Sequence, residues 1–149
     1  MPANSPRFAA WLGTAAVVVH GIPLVLHSMA HMQLGIYLPS TLANIYIAAV
    51  LFAAPVVAAV LLWTGRIRFG AWLLVLSMLG SWIFEVYNHF VAMSLDHVSQ
   101  VPAGTWGDLF RMTAVASAIT EVLGIAAGVF ILVAPRGPWA VPSEGMPRE

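Results

Sequence analysis

Between Thr41 and Trp63 the chain reads TLANIYIAAVLFAAPVVAAVLLW, with no acid, no base and no histidine. A run this long and apolar settles most of what the chain can fold into. A helix needs about 20 residues to cross the roughly 30 Å hydrocarbon layer of a bilayer. Lipid offers backbone amides no partner, so the run must satisfy itself as a helix. Three more runs obey the same rule: Phe8 to about Ser28, Phe69 to about Ser94, and about Trp106 to Val133. The expected fold is all-α, an integral membrane four-helix bundle with spans at 8–28, 41–63, 69–94 and 106–133. It forms one domain, followed by a Pro-rich tail over 134–149 that is expected to be flexible and cytoplasmic.

Composition supports a lipid solvent. Only 8% of residues are charged, against about 25% in soluble domains, and mean hydropathy is +0.89. Formal net charge is zero and lysine is absent, so nothing here forms the basic patch that holds nucleic acid. Cysteine is also absent. Disulfides, thiolate metal sites, iron–sulfur clusters and covalent haem attachment are therefore excluded. A metal or haem must be held by His, Glu, Asp, Met or backbone oxygen. Common hydrolase signatures are missing too: there is no lysine for Ser-x-x-Lys and no Gly-x-Ser-x-Gly.

Charge sets the expected orientation. Arg7 precedes the first span, Arg66 and Arg68 lie between the second and third, and Arg136 and Arg148 follow the fourth. In a four-span chain these regions share one side, which should be the cytoplasm. The expected location is a bacterial inner membrane with both termini cytoplasmic. A second reading of the N-terminus is a secretory signal, with Ser28-Met29-Ala30 as a small-x-small cleavage site. Cleavage there would remove His20 and His27. The run is long for a signal, and His20, Gly21 and Pro23 interrupt it. Pro23 and Pro55 are expected to kink their helices.

The polar residues inside these spans carry the functional argument. HGIPLVLHSMAH places His20, His27 and His31 seven and four residues apart. At 3.6 residues per turn they share one stripe, within about 40°. In the third span, SWIFEVYNHF sets Glu85 and His89 four apart, with Ser81 and Asn88 beside them. If that helix continued, Asp96 would join the face. The fourth span brings Arg111 near its outer end and Glu121 near its middle, on a narrow face with Thr113, Ser117, Gly124 and Gly128. An ionised group at the bilayer centre costs on the order of 3 kcal/mol on insertion scales. These residues are therefore expected to face one another in the outer half of the bundle.

Two i,i+4 pairs on two helices can supply four ligands to a transition metal. The leading expectation is that His27, His31, Glu85 and His89 hold Zn, Fe or Cu. His20, Glu121, Asn88 and Arg111 would orient those ligands or bind a cofactor around them. Haem b between His27 and His89 is an alternative. A polar pocket for a quinone or lipid-like ligand is another, with Glu85–Arg111 and His20–Glu121 as its pairs. Against these stands a non-catalytic membrane subunit whose polar residues only fix helix packing. The expected partners are the lipid bilayer and, through the small-residue faces, a homodimer or larger membrane complex.

The segment SMLGSWIFEVYNHFVAMSLDHVSQVPAGTWGDLF resembles part of small, uncharacterised bacterial four-span membrane proteins. The resemblance implies the four-span architecture. It carries over no activity and no functional residue. Likeness to other small four-helix membrane families, such as the DoxX-like proteins, is architectural only.

Overall fold

The computed structural model describes residues 5–37 and 40–134. Among the described residues are four helices, each long and apolar enough to cross a membrane: α1 (Pro6–Leu34), α2 (Thr41–Trp63), α3 (Ile67–Val91) and α4 (Thr105–Val133). The fold is all-α, and α2 matches its expected limits. Helix α1 runs on unbroken through Ser28–Ala30 to Leu34, past Pro23. From residue 135 onward the expected tail lies outside the described residues.

The helices pack in a ring, α1 against α2 and α4, α3 against α2 and α4, with α1 and α3 meeting only across the diagonal. Large apolar side chains such as Ile22, Leu76 and Leu123 point outward, as lipid-facing residues do. Small apolar clusters fill the interior instead. One end holds Ala9, Ala10, Leu62, Ala71 and Ile131. The middle holds Ala58, Leu74 and Met78, and the other end Ala30, Val101 and Phe110. Lipid tails are as apolar as leucine, so close packing rather than the hydrophobic effect holds such helices together. Gly128 shows how close: a Cβ there would stand 2.6 Å from Val75 Cγ2 and 3.2 Å from the Ala71 carbonyl oxygen.

Helix ends and irregular turns are written in the sequence. Ser5 caps α1 by accepting from Phe8 N at 3.1 Å, with Pro6 in the first turn. At the far end Gly35 takes φ +66°, which glycine adopts at little cost. Ile36 N then donates to the His31 carbonyl at 3.1 Å, the six-to-one bond of a Schellman cap. In α2, Pro55 lacks the N–H that would reach Leu51, and the backbone over Ile47–Ala53 widens into a π-helix. A second π segment, Tyr87–Val91, ends α3, where Ala92 N donates to Tyr87 O at 2.7 Å.

That ending corrects the third span. The helix stops at Val91 rather than near Ser94, because Ala92 turns to extended backbone (φ −75°, ψ 117°). The connection then folds back over the bundle. Val98 N donates to the His89 carbonyl at 3.0 Å. Arg111 holds the same connection from α4: Nε donates to Val98 O at 3.1 Å and Nη2 donates to Val101 O.

Candidate metal centre

Three histidines converge where α1 and α3 meet across the diagonal. His27 and His89 are buried and His31 is partly exposed, and one ring nitrogen from each lies within 4.8 Å of the others. His27 Nε2 stands 3.0 Å from His89 Nε2 and 3.1 Å from His31 Nε2. Phe110 of α4 forms the wall behind them, its ring centroid 4.5, 4.9 and 5.3 Å from those of His27, His31 and His89.

The outer nitrogens fix the tautomers. His31 Nδ1 bonds the Ile36 carbonyl oxygen at 3.0 Å, and His89 Nδ1 the Asp96 carbonyl oxygen at 3.0 Å. A carbonyl only accepts, so both Nδ1 atoms carry the proton and donate it. His27 Nδ1 lies 2.9 Å from Thr113 Oγ1. That hydroxyl spends its own proton on the Leu109 carbonyl at 2.7 Å, leaving a lone pair to accept from His27. In the neutral rings all three Nε2 atoms are therefore bare, and that of His27 faces the other two at 3.0 and 3.1 Å. Lone pairs so placed repel unless a cation sits among them. Nδ1 donating to backbone or side-chain oxygen, with Nε2 left to coordinate, is how metal-bound histidines are commonly oriented.

Two carboxylates border the triad. Asp96 Oδ1 lies 3.2 Å from His31 Nε2 and 3.5 Å from His89 Nδ1. It is buried, and it accepts no hydrogen bond among the described residues. Asp96 gets there through the turn beyond Val91, not by continuing the helix. Glu85 is 2% exposed. It lines, with the three histidines and Asp96, a cavity of about 170 Å³ between α1, α2 and α3. Its Oε2 is buried and has no hydrogen bond among the described residues. The structure thus gathers His27, His31 and His89 tightly, and sets Glu85 on the wall of the adjoining cavity.

The other expected residues fall elsewhere. Glu121 is fully buried and Oε1 accepts from the Ser81 hydroxyl. His20 Nδ1 faces Thr120 Oγ1 at 3.4 Å, while Nε2 has no hydrogen bond among the described residues. No bond joins His20 to Glu121 among the described residues. Asn88 turns back on its own helix, Nδ2 donating to Phe84 O at 2.8 Å. Arg111 pairs with Asp108 at 3.1 Å and with the loop carbonyls, so the Glu85–Arg111 ion pair is not formed. A guanidinium within two turns of the helix start is better served by nearby oxygens than by a carboxylate deep in the bundle.

Sequence reasoning placed Thr113 on the interior face of α4 without giving it a role, and missed Ile36 and the true position of Asp96. For Ile36 a signal existed: Leu34-Gly35-Ile36 reads as a glycine cap, which folds the next residue back onto the last turn. No family model, curated protein or solved structure matches the chain.

Proposed function

We propose that this membrane protein coordinates a transition metal ion through Nε2 of His27, His31 and His89. One observation carries the reading: three buried or half-buried imidazoles, each with Nδ1 engaged on oxygen, turn bare nitrogens toward one point. With metal–nitrogen bonds of about 2.0–2.1 Å, two ligands stand about 3.0 Å apart at a right angle and about 3.4 Å at the tetrahedral angle. The separations of 3.0 and 3.1 Å fall in that window. Asp96, already against His31, is our first assignment for an anionic fourth ligand. Glu85, the fourth ligand expected from spacing, is the alternative. Zn, Fe and Cu all accept imidazole and carboxylate. Haem b fits less well, since trans axial nitrogens stand about 4 Å apart and a 170 Å³ cavity leaves no room for a porphyrin.

In this reading the site opens away from the cytoplasm, because Arg7, Arg66 and Arg68 all lie toward the opposite end. Beneath it the apolar cluster of Ala9, Ala10, Leu62, Ala71 and Ile131 closes the bundle, which favours holding an ion over conducting it.

The test is elemental analysis with a visible spectrum on protein purified in mild detergent without added metal. The expected result is about one Zn, Fe or Cu per chain, lost in the His27→Phe/His89→Phe double variant while helicity persists. Metal-free protein that also takes up none of the three ions would refute the proposal. A helix-packing network would then remain, in which interhelical polar contacts contribute about 0.6 kcal/mol each.

A further inference from the structure

The cavity beside the triad has features that metal binding leaves unexplained. Its lining is mostly apolar, with Leu24, Leu51, Phe52 and Phe84 among it. The same cavity is lined by the histidines and two carboxylates, one of which, Glu85, has a buried Oε2 with no hydrogen bond among the described residues. Both π-helical segments border it: Ile47 and Leu51 come from the one in α2, His89 from the one in α3. Such segments are uncommon and recur at functional sites. Here the α2 segment leaves the gap. Nothing from Thr41 to Tyr46 is buried, and within Ile47–Ala53 only Leu51 is. The gap is bordered by the exposed residues Met32 and Tyr37.

We infer that this cavity binds a single-ring hydroxyaromatic molecule, of the phenol or quinol class, its hydroxyl donated to Glu85 and its oxygen facing the histidine cluster. The inference rests on the same site as the metal reading and names what that site would take beside the ion. Size favours one ring: a cavity of about 150 Å³ accommodates benzene, and this one is about 170 Å³. Chemistry favours a neutral donor. An anion would meet Glu85 and Asp96, and a sugar would leave hydroxyls unpaired against leucine and phenylalanine. An apolar ring answers the apolar lining, and one O–H answers the polar side chains beside it.

The experiment is calorimetric titration of the metal-free protein in detergent with phenol and with toluene, its isostere lacking the hydroxyl. Phenol is expected to bind saturably, and at least about tenfold more tightly than toluene. Glu85→Leu should erase that preference. Ile47→Trp, which fills the cavity from α2, should abolish phenol binding and keep zinc uptake. Equal binding of phenol and toluene, or no saturable phenol binding, overturns the inference, and this comparison requires no variant to fold. Retention of phenol binding in a folded Ile47→Trp protein overturns it too. A short-tailed quinol separates the sources: binding tighter than phenol identifies a membrane quinol head, and weaker binding a free phenol. Zinc uptake measured on the same preparation keeps the two readings apart, since zinc without phenol sinks only this one and phenol without zinc only the other.

Discussion

Thr113→Val distinguishes a metal centre from a packing network by the sign of its effects. Valine keeps the shape of threonine but removes the oxygen that accepts from His27 Nδ1 at 2.9 Å. Two consequences follow, in opposite directions. A metal held by His27 loses the group that fixes the ring and its tautomer. Loss of such an outer partner weakens metal binding by about 10–100-fold, or about 1.4–2.7 kcal/mol. The metal-free bundle behaves differently. Once Nδ1 has no acceptor, the proton moves to Nε2, where it can be donated to His89 or His31 at 3.0–3.1 Å. That relieves the facing lone pairs and replaces the bond that was lost. Metal-free stability should therefore hold steady or rise, where a simple buried hydrogen-bond deletion would cost about 1 kcal/mol. Zinc at 100 times the wild-type Kd stabilises the wild type by about 2.7 kcal/mol, and the variant by only about 0.4–1.4 kcal/mol. The assay is chelator competition for Kd, with thermal unfolding in detergent, with and without zinc. An unchanged zinc Kd would show that His27 Nε2 is not a ligand. A metal-free variant destabilised by 1 kcal/mol or more would show that the hydroxyl serves packing.

His27→Phe should abolish zinc-dependent stabilisation in the same unfolding assay and leave a helical bundle, because the ring already packs 4.5 Å from Phe110. Asp96→Asn keeps the backbone carbonyl that His89 Nδ1 uses and removes only the charge. Zinc affinity should fall at least about tenfold by chelator competition, since a carboxylate favours the bound cation more than an amide does. Gly107→Ala sets a Cβ on the Pro102 carbonyl oxygen, so the connection carrying Asp96 must shift. The expected cost is about 1–3 kcal/mol in unfolding, with a weaker zinc Kd.

Four apolar runs between short polar connections left lipid-spanning helices as the only way to satisfy the backbone, so α2 was legible to the residue. Periodicity alone put His27 and His31 on one stripe, and Glu85 and His89 on another. Spacing within a helix says nothing about which face of a second helix it meets. The sequence therefore named the three histidines but could not show that α1 and α3 touch across the ring at that depth. It also paired charges by depth alone, coupling Arg111 to Glu85. The folded chain supplied Arg111 with nearer partners in Asp108 and the Val98 and Val101 carbonyls.

Local chemistry thus belongs to the sequence: span number, and which residue types lie buried in a membrane. Direction belongs to the tertiary structure. A turn at Ala92 swings Asp96 back over the triad, a glycine cap aims the Ile36 carbonyl at His31, and Thr113 reaches His27 from a helix 86 residues away. Those contacts decide which nitrogen of each histidine holds its proton, and a coordinating site depends on that orientation. It arises only when oxygens from three separate segments close around the rings, which no spacing within a single helix encodes.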